Sequence, residues 1–144
     1  MKMDSAKRVI AGTWGTVWMD GEQVAECYGC QAKISADKET VSLCGRLMDG
    51  HKVMGLSGTG SLKLHKVNSR MGQLLGEAMK KGTDPRFTIV TKLDDPDAYG
   101  AERVSLSNVS FDDLTLVDFE AKQLGKVECP FTFEDFEYLD MIQA

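Results

Sequence analysis

The chain has 144 residues, of which 42% are hydrophobic and 27% are charged, and its formal net charge is −5. This length predicts one domain, residues 1–144, that buries about two-thirds of its unfolded surface without a metal ion or disulfides. No apolar run reaches transmembrane length, and the N-terminal sequence MKMDSAKRVI lacks the apolar core of a signal peptide. We therefore expect folding in a cytoplasm, where cysteines remain reduced thiols. The four cysteines are Cys27, Cys30, Cys44 and Cys129.

The charges are unevenly distributed along the chain. Residues 1–93 carry 14 Lys and Arg against 9 Asp and Glu, whereas residues 94–144 carry 3 against 13. The acidic total disfavours tight binding to nucleic acid, which needs clustered cations to displace counterions. The asymmetry suits head-to-tail contacts between identical copies, because one copy's basic region then meets the next copy's acidic region. The alternative is that the asymmetry averages out once the chain folds.

The first elements predicted along the chain are strands. Trp14, Val17 and Trp18 precede the turn residues Asp20-Gly21 and predict a short hairpin. Residues 22–36 then alternate between apolar and polar side chains, which indicates a half-buried strand. We expect a charged turn at residues 37–39, after which Val41 and Leu43 continue the strand.

A glycine-rich stretch follows at residues 45–60, with five glycines in sixteen positions. Glycine loses more conformational freedom on folding than any other residue, so a long glycine-rich loop at about 45–58 needs a ligand or another chain to order it. The spacing from Gly55 to Gly60 is followed by Ser61-Leu62, without the Lys and Ser or Thr of a phosphate-binding loop. We therefore expect this loop to contact another chain.

The second half of the chain contains the clearest helix. A strand at about 59–67 points Leu62 and Leu64 inward, and an α-helix is predicted at about 68–82. Gly72 and Gly76 within that helix leave room for a close neighbour, either the chain's own sheet or an adjoining subunit. Strands return at 87–93, 103–111, 114–121 and 126–133. This order predicts a mainly β (α+β) fold, a small β-barrel or sandwich with one flanking helix.

Cys27 and Cys30 have the C-x-x-C spacing of redox and zinc sites. Their flanks read as strand, so the two side chains point to opposite faces unless Gly29 forms a bulge. The other potential zinc ligands are single and scattered: Cys44, Cys129, His51 and His65. Packed free thiols are the favoured interpretation, and a small zinc-binding or thiol-redox module using Cys27 and Cys30 is the alternative function.

The sequence shows no catalytic constellation. Ser57 lacks the G-x-S-x-G spacing of a nucleophile elbow. Asp49 lies two residues from His51, but nothing in the sequence completes a triad with them. We expect no enzymatic activity and no cofactor.

Several blocks of sequence together resemble a known family. They are GRLMDGHKVMGLSGTGSLKLHKV, the helix ending in MKKGTDPRFT, the pair LDD, AERVSLSNVSFD and PFTFEDFE. In this order and spacing they are similar to the XkdM-like tail tube proteins of contractile-tailed phages, defective prophages of Gram-positive bacteria and R-type bacteriocins. The resemblance runs in register from about Gly12 to Phe136.

The resemblance implies a barrel or sandwich related to the secreted tube protein of type VI systems. Six copies close into a ring, rings stack into a tube, and sheath and baseplate proteins are the partners. DNA passes through only as cargo in a phage, whereas a bacteriocin tube opens a path through the target envelope. The family has no catalytic, cofactor or metal residues and no membrane anchor. It assembles in the host bacterial cytoplasm and then forms part of a virion tail or a released particle.

The resemblance also assigns roles to residues. The glycine-rich loop becomes an assembly arm, and its predicted inter-subunit residues are Gly45, Arg46, Met48, Gly50, His51, Lys52 and Met54. A lumen that passes DNA should be polar without being strongly cationic. The lumen candidates alternate with apolar positions, and they are Lys33, Ser35, Asp37, Ser61 and Lys63. Cys27 and Cys30 depart from the family pattern, which keeps the zinc or redox alternative open.

Overall fold

A computed structural model of the chain describes residues 3–143, and within them it contains eight strands and one α-helix. Two short 3₁₀ turns, Ala6–Arg8 and Gly12–Trp14, precede the first strand. The strands are β1 (Gly15–Met19), β2 (Glu22–Gln23), β3 (Cys27–Val41), β4 (Gly50–His65), β5 (Phe87–Leu93), β6 (Glu102–Phe111), β7 (Lys126–Phe133) and β8 (Asp135–Asp140). Helix α1 (Arg70–Lys81) lies between β4 and β5. The prediction of a mainly β fold with one helix is confirmed.

The strands form one antiparallel sheet in the order β2-β1-β5-β6-β7-β4-β3, and β8 pairs with β6. Strand β6 joins two halves of the sheet, because residues 103–107 pair with β8 while Ser110 and Phe111 pair with β7. Side chains from both halves meet in one hydrophobic core, in which Leu62, Ile89 and Phe131 have no exposed surface. The sheet is therefore rolled around a core, as expected for a small barrel or sandwich.

Helix α1 lies within the predicted range of about 68–82, and the residues at its two ends satisfy backbone groups of its first and last turns. The side-chain oxygen of Asn68 accepts a hydrogen bond from the Arg70 backbone N–H at 3.1 Å. Gly82 has φ +74°, the left-handed conformation that glycine adopts most readily, and its N–H closes the last turn. Met71 and Leu75 are buried against the sheet, and Arg70 Nε donates to Glu26 Oε1 at 2.8 Å. The helix is thus fixed beside the start of β3.

Two expectations for β3 and β4 were wrong. Residues 37–39, predicted as a turn, are continuous strand, because β3 runs on to Val41. The irregularity lies on β4, where Met54 is inserted as the partner changes from Gly55 for Asp37 to Val53 for Lys38. The loop predicted at about 45–58 is mostly strand: β4 begins at Gly50, and residues 42–49 alone connect it to β3.

Two glycines of β4, which were interpreted from the sequence as a sign of a loop, have a packing role in the strand. A Cβ atom at Gly58 would lie 2.6 Å from the Phe133 ring. A Cβ atom at Gly60 would lie 2.7 Å from Phe131 Cζ and would also collide with the Gln31 carbonyl oxygen. Glycine in a strand often marks such a close approach, so these residues let aromatic rings of β7 cover β4.

The strand predicted at 114–121 is absent, and strand β8 was not predicted. Residues 112–125 contain no helix or strand, although residues 113–120 run without a turn or bend. All six residues of β8 are exposed, so β8 lacks the alternating burial that identifies a strand in sequence.

A bulge also determines how the cysteines of β3 are placed. The register shifts between Cys27 and Gly29, so that Cys27 lies opposite Leu64 and Cys30 lies opposite Leu62. Both cysteines therefore lie on the core side of the sheet, the outcome that the sequence allowed only with a bulge at Gly29. Desolvation raises the pKa of the Cys27 thiol, and it raises the pKa of Cys30 to about 11 even though that residue retains exposed surface.

These thiols do not support the zinc or redox alternative. A raised pKa keeps a thiol protonated, whereas reactive cysteines and metal ligands need the thiolate. Burial also raises the pKa of Cys129 to about 11. Within residues 3–143 no group of three or more His, Cys, Asp or Glu side chains is arranged to hold a metal ion.

We expect the substitution Gly60→Ala to lower the free energy of unfolding by about 1–3 kcal/mol, because the added methyl group overpacks the contact with Phe131. The control Gly76→Ala lies in helix α1 with no atom within 4 Å of its new Cβ. It should raise that free energy by up to about 1 kcal/mol through helix propensity. Chemical denaturation monitored by circular dichroism measures both changes, and equal effects of the two variants would contradict the packing argument.

We expect alkylation by iodoacetamide at neutral pH to modify exposed Cys44 first. Cys30 and Cys129 should react at least about tenfold more slowly, because their raised pKa values leave little thiolate. Mass spectrometry of peptides over a time course measures the rates, and the unfolded chain provides the reference in which all four cysteines react alike. Rapid modification of Cys27 and Cys30 in the folded chain would restore the redox alternative.

Candidate assembly surfaces

The β3–β4 hairpin extends beyond the rest of the sheet. Strand β7 pairs with β4 only from Gly58 to His65, whereas β3 pairs with β4 as far as Val41 and Gly50. We call residues 34–57 the arm. With a rise of about 3.3 Å per residue, the arm projects roughly 25 Å from the end of the barrel. It is the most extended feature of residues 3–143 and the natural candidate for contact with another molecule.

The predicted inter-subunit residues all lie in the outer part of the arm. Gly45, Arg46 and Met48 are in the connection at its tip, where Gly45 has φ +82°. The other four lie in the first five residues of β4, and they are Gly50, His51, Lys52 and Met54. Lys52 lies opposite Glu39, an arrangement of opposite charges that favours this cross-strand register.

The arm exposes many large apolar side chains. Leu47 is fully exposed and Met48 is 79% exposed. The further exposed apolar residues of the arm are Ile34, Val41, Leu43, Val53, Met54 and Leu56. A two-stranded ribbon is only marginally stable in water by itself, and its free edges favour pairing with another strand. Apolar surface of this extent is typical of a protein–protein contact.

The predicted lumen candidates share one face of the sheet. Directly opposed residues of an antiparallel pair point to the same side. Lys33 lies opposite Thr59, Ser35 opposite Ser57, and Gln31 opposite Ser61. The face therefore contains all five candidates, and it is opposite to buried Leu62 and Leu64. We call this side of β3, β4 and β7 the polar face.

The polar face continues onto β7 with charges of both signs. Lys63 lies opposite Glu128, and His65 lies opposite Lys126. The Tyr28 ring lies 4.5 Å from the His65 ring and 5.5 Å from the Lys126 ammonium group. The polar face is therefore mostly exposed and carries both positive and negative side chains, as a surface in contact with water does.

A further exposed surface was not identified as a contact from the sequence. Residues 112–124, which we call the acidic segment, connect β6 to β7 and carry four carboxylates against Lys122. Four of its large apolar side chains are mostly exposed, whereas Leu114 packs against the core: the exposed ones are Leu116 80%, Val117 73%, Phe119 86% and Leu124 81%. Within residues 3–143, no backbone hydrogen bond involves residues 113–119. The strand-like sequence pattern was the available signal, and the structure contains a segment without a turn or bend that is not paired as a strand within the described residues.

A cleft with a volume of about 1060 Å³ lies between the two halves of the sheet. Its walls are mostly apolar and include Leu106, Phe133, Phe136 and Tyr138. The charged residues among those that line it in the described chain are Lys33, Lys92 and Glu102. Helix α1 has 12 residues and is too short to cross a membrane. No helix among the described residues is both long and apolar enough to do so.

The chain is 39% identical to the phage-like element PBSX protein XkdM of Bacillus subtilis, over 92% of this chain and 91% of that protein. Residues 2–140 match the family model described as phage tail tube protein.

Solved structures give the same fold at low identity. A chain of the anti-feeding prophage tube-terminating cap matches with a TM-score of 0.72 and 12% identity, over 97% of each chain. A chain of the sheath–tube complex of an extracellular contractile injection system matches with a TM-score of 0.69 and 13% identity, over 98% of this chain and 100% of that chain. These matches concern the fold, and the family model and the B. subtilis relative decide the family. The chain belongs to the phage tail tube protein family.

Proposed function

We propose that the chain is a structural subunit of the tube of a contractile phage tail or an R-type bacteriocin. Six copies close into a ring, and rings stack into a hollow conduit. The observation that carries the proposal is the match to the phage tail tube family across residues 2–140. The protruding arm supports it, because its exposed apolar side chains need a partner.

In this proposal the arm binds neighbouring copies of the same chain. Ring and stacking contacts are heterologous, so that a patch on one copy meets a different patch on the next. The predicted inter-subunit residues lie at the outer end of the arm, where Met48 and Met54 are 79% and 60% exposed. Methionine side chains adapt well to an irregular partner surface.

The polar face lines the lumen in this proposal. Its lysines are interspersed with Asp37 and Glu128, so it lacks the clustered cations that would hold the phosphates of passing DNA. DNA is then cargo and not a bound ligand. The subunit needs no catalytic residue, cofactor or metal ion, and sheath and baseplate proteins are its other partners. Assembly takes place in the host bacterial cytoplasm, and the product is a virion tail or a released particle.

Tails purified from the source and stripped of their sheath provide the direct test. Mass spectrometry should identify this chain as the major tube component, and cryo-electron microscopy should show stacked rings with six-fold symmetry. Absence of the chain from the purified tubes contradicts the proposal. A different ring number would correct the symmetry and leave the structural role in place.

A matched pair of variants tests the arm. Gly50 has no atom closer than 3.9 Å to an added Cβ, so Gly50→Trp should leave the folded subunit intact while its bulk obstructs a neighbouring copy. The control Gly50→Ser adds only a small side chain. We expect tubes from the control at wild-type yield and a loss of at least about tenfold with tryptophan, as for a bulky residue at an interface centre. Circular dichroism confirms folding, and negative-stain microscopy counts tubes. Normal tubes from Gly50→Trp would exclude the arm from assembly.

A further inference from the structure

We propose that the acidic segment is the docking site for the arm of another copy, so that successive copies join head to tail. The arm of one subunit pairs with and packs against residues 114–120 of the next. This inference rests on the proposed function, and it identifies the surface that receives the arm.

The acidic segment has the character of a strand without a partner. Residues 113–120 run without a turn or bend, and residues 113–119 make no backbone hydrogen bond within residues 3–143. Connections this long without regular structure are uncommon in compact domains and are usually functional. Unpaired N–H and C=O groups in an extended segment are a template for strand addition. A strand from another copy would satisfy them.

The arm offers free strand edges to fill this requirement. Strand β3 is the last strand of the sheet on its side, so its outer edge has no neighbour along the arm. Residues 50–57 of β4 lie beyond the end of the pairing with β7, and their second edge is also free. Both edges have the exposed apolar side chains that were described above. The arm and the acidic segment therefore both present unpaired backbone groups and exposed apolar side chains.

The acidic segment starts beside Pro130, within three ladder pairs of Gly58, and its residues Leu114 and Leu116 lie at the end of the barrel opposite to the arm. The arm begins at the end of the barrel where Gly58 pairs with Phe133. The acidic segment leaves β6 at Phe111 and reaches β7 at the other end, where Lys126 pairs with His65. Leu114 and Leu116 line a small cleft there together with the start of helix α1. Eight ladder pairs, or roughly 25 Å, separate the two ends. The arm cannot reach the segment of its own chain, so the contact joins different copies.

Charge favours the same pairing. Residues 42–52 at the tip of the arm carry Arg46 and Lys52 against Asp49. The acidic segment carries Asp112, Asp113, Asp118 and Glu120 against Lys122. The tip has a net charge of +1 and the acidic segment one of −3, whereas the whole arm is neutral because Asp37 and Glu39 outweigh Lys38. The charge at the tip therefore favours contact with the acidic segment over contact between two acidic segments.

Cross-linking between native Cys44 and an introduced cysteine tests the contact directly. Cys44 is exposed at the tip of the arm, and Phe119, which is 86% exposed, can be replaced without disturbing the core. Tubes that incorporate Phe119→Cys are treated with a short bismaleimide and separated on a denaturing gel. We expect a ladder of covalent oligomers. Wild-type tubes and tubes of the double variant Cys44→Ser/Phe119→Cys are the controls, and neither should give the ladder.

A second measurement guards against a variant that does not assemble. Val117→Asp is compared with the identical change Val9→Asp, because these valines have similar exposures of 73% and 65%. We expect Val117→Asp to remain folded and to lose tube formation by at least about tenfold, whereas Val9→Asp assembles normally. If folded Phe119→Cys forms no tubes, that loss also supports the contact, and Asp118→Cys then supplies the thiol for cross-linking.

The outcomes separate this inference from the proposed function. Tubes that contain the cysteine variant but give no ladder overturn the docking site and leave the tube assignment intact. Assembly of Val117→Asp at the level of Val9→Asp, or equal loss in both, also overturns it. Absence of the wild-type chain from purified tubes removes the proposed function itself.

Discussion

The close approach of β4 to the aromatic side chains of β7 is the constraint on which the architecture depends. Gly58 and Gly60 lie beneath Phe133 and Phe131, where no other residue type fits without displacing a ring. Phe131 in turn lies 5.9 Å from the Phe111 ring, which links β7 to β6. This contact aligns β4 with β7 from Gly58 onward and fixes where the barrel ends. The arm is what remains of the hairpin beyond that point.

One long hairpin therefore has two roles. From Cys27 to Lys33 and from Gly58 to His65 its strands form part of the barrel, with Leu62 and Leu64 in the core. Beyond this, the same strands lose their neighbour and expose both edges. The folded domain gains its stability from the first part, so the second part is free to serve a partner. A continuous ladder transmits the orientation of the barrel to the tip, which a flexible loop would not do.

Much of the fold was predictable because local patterns were strong. Strands β5 and β7 were predicted at their observed bounds, and helix α1 was predicted at about 68–82 against its observed range Arg70–Lys81. The lumen candidates were found to share a face because alternation along a strand determines side-chain direction. That these residues border a lumen was expected only from the family resemblance.

The errors have physical causes. Glycines in β4 were interpreted as a loop, since a sequence does not reveal which aromatic ring will cover a strand. Residues 114–121 were predicted as a strand from a pattern that is typical of an extended chain. A strand also needs a hydrogen-bonded partner, and within the described residues this segment has none. Gly72 and Gly76 do not admit the chain's own sheet, because no atom of another element lies within 4 Å of a Cβ added at either residue; the alternative, an adjoining subunit, stays a prediction. In each case the missing information concerns a contact between distant parts of the chain or between chains.

The bulge in the arm has a geometric consequence for any assembly that forms through it. Between Asp37 and Lys38 the pairing on β4 advances from Gly55 to Val53, so Met54 is an inserted residue. A bulge increases the right-handed coiling of a ribbon and bends its path. In an assembly that forms through the arm, the position of this one methionine would contribute to the direction in which the tip meets its partner.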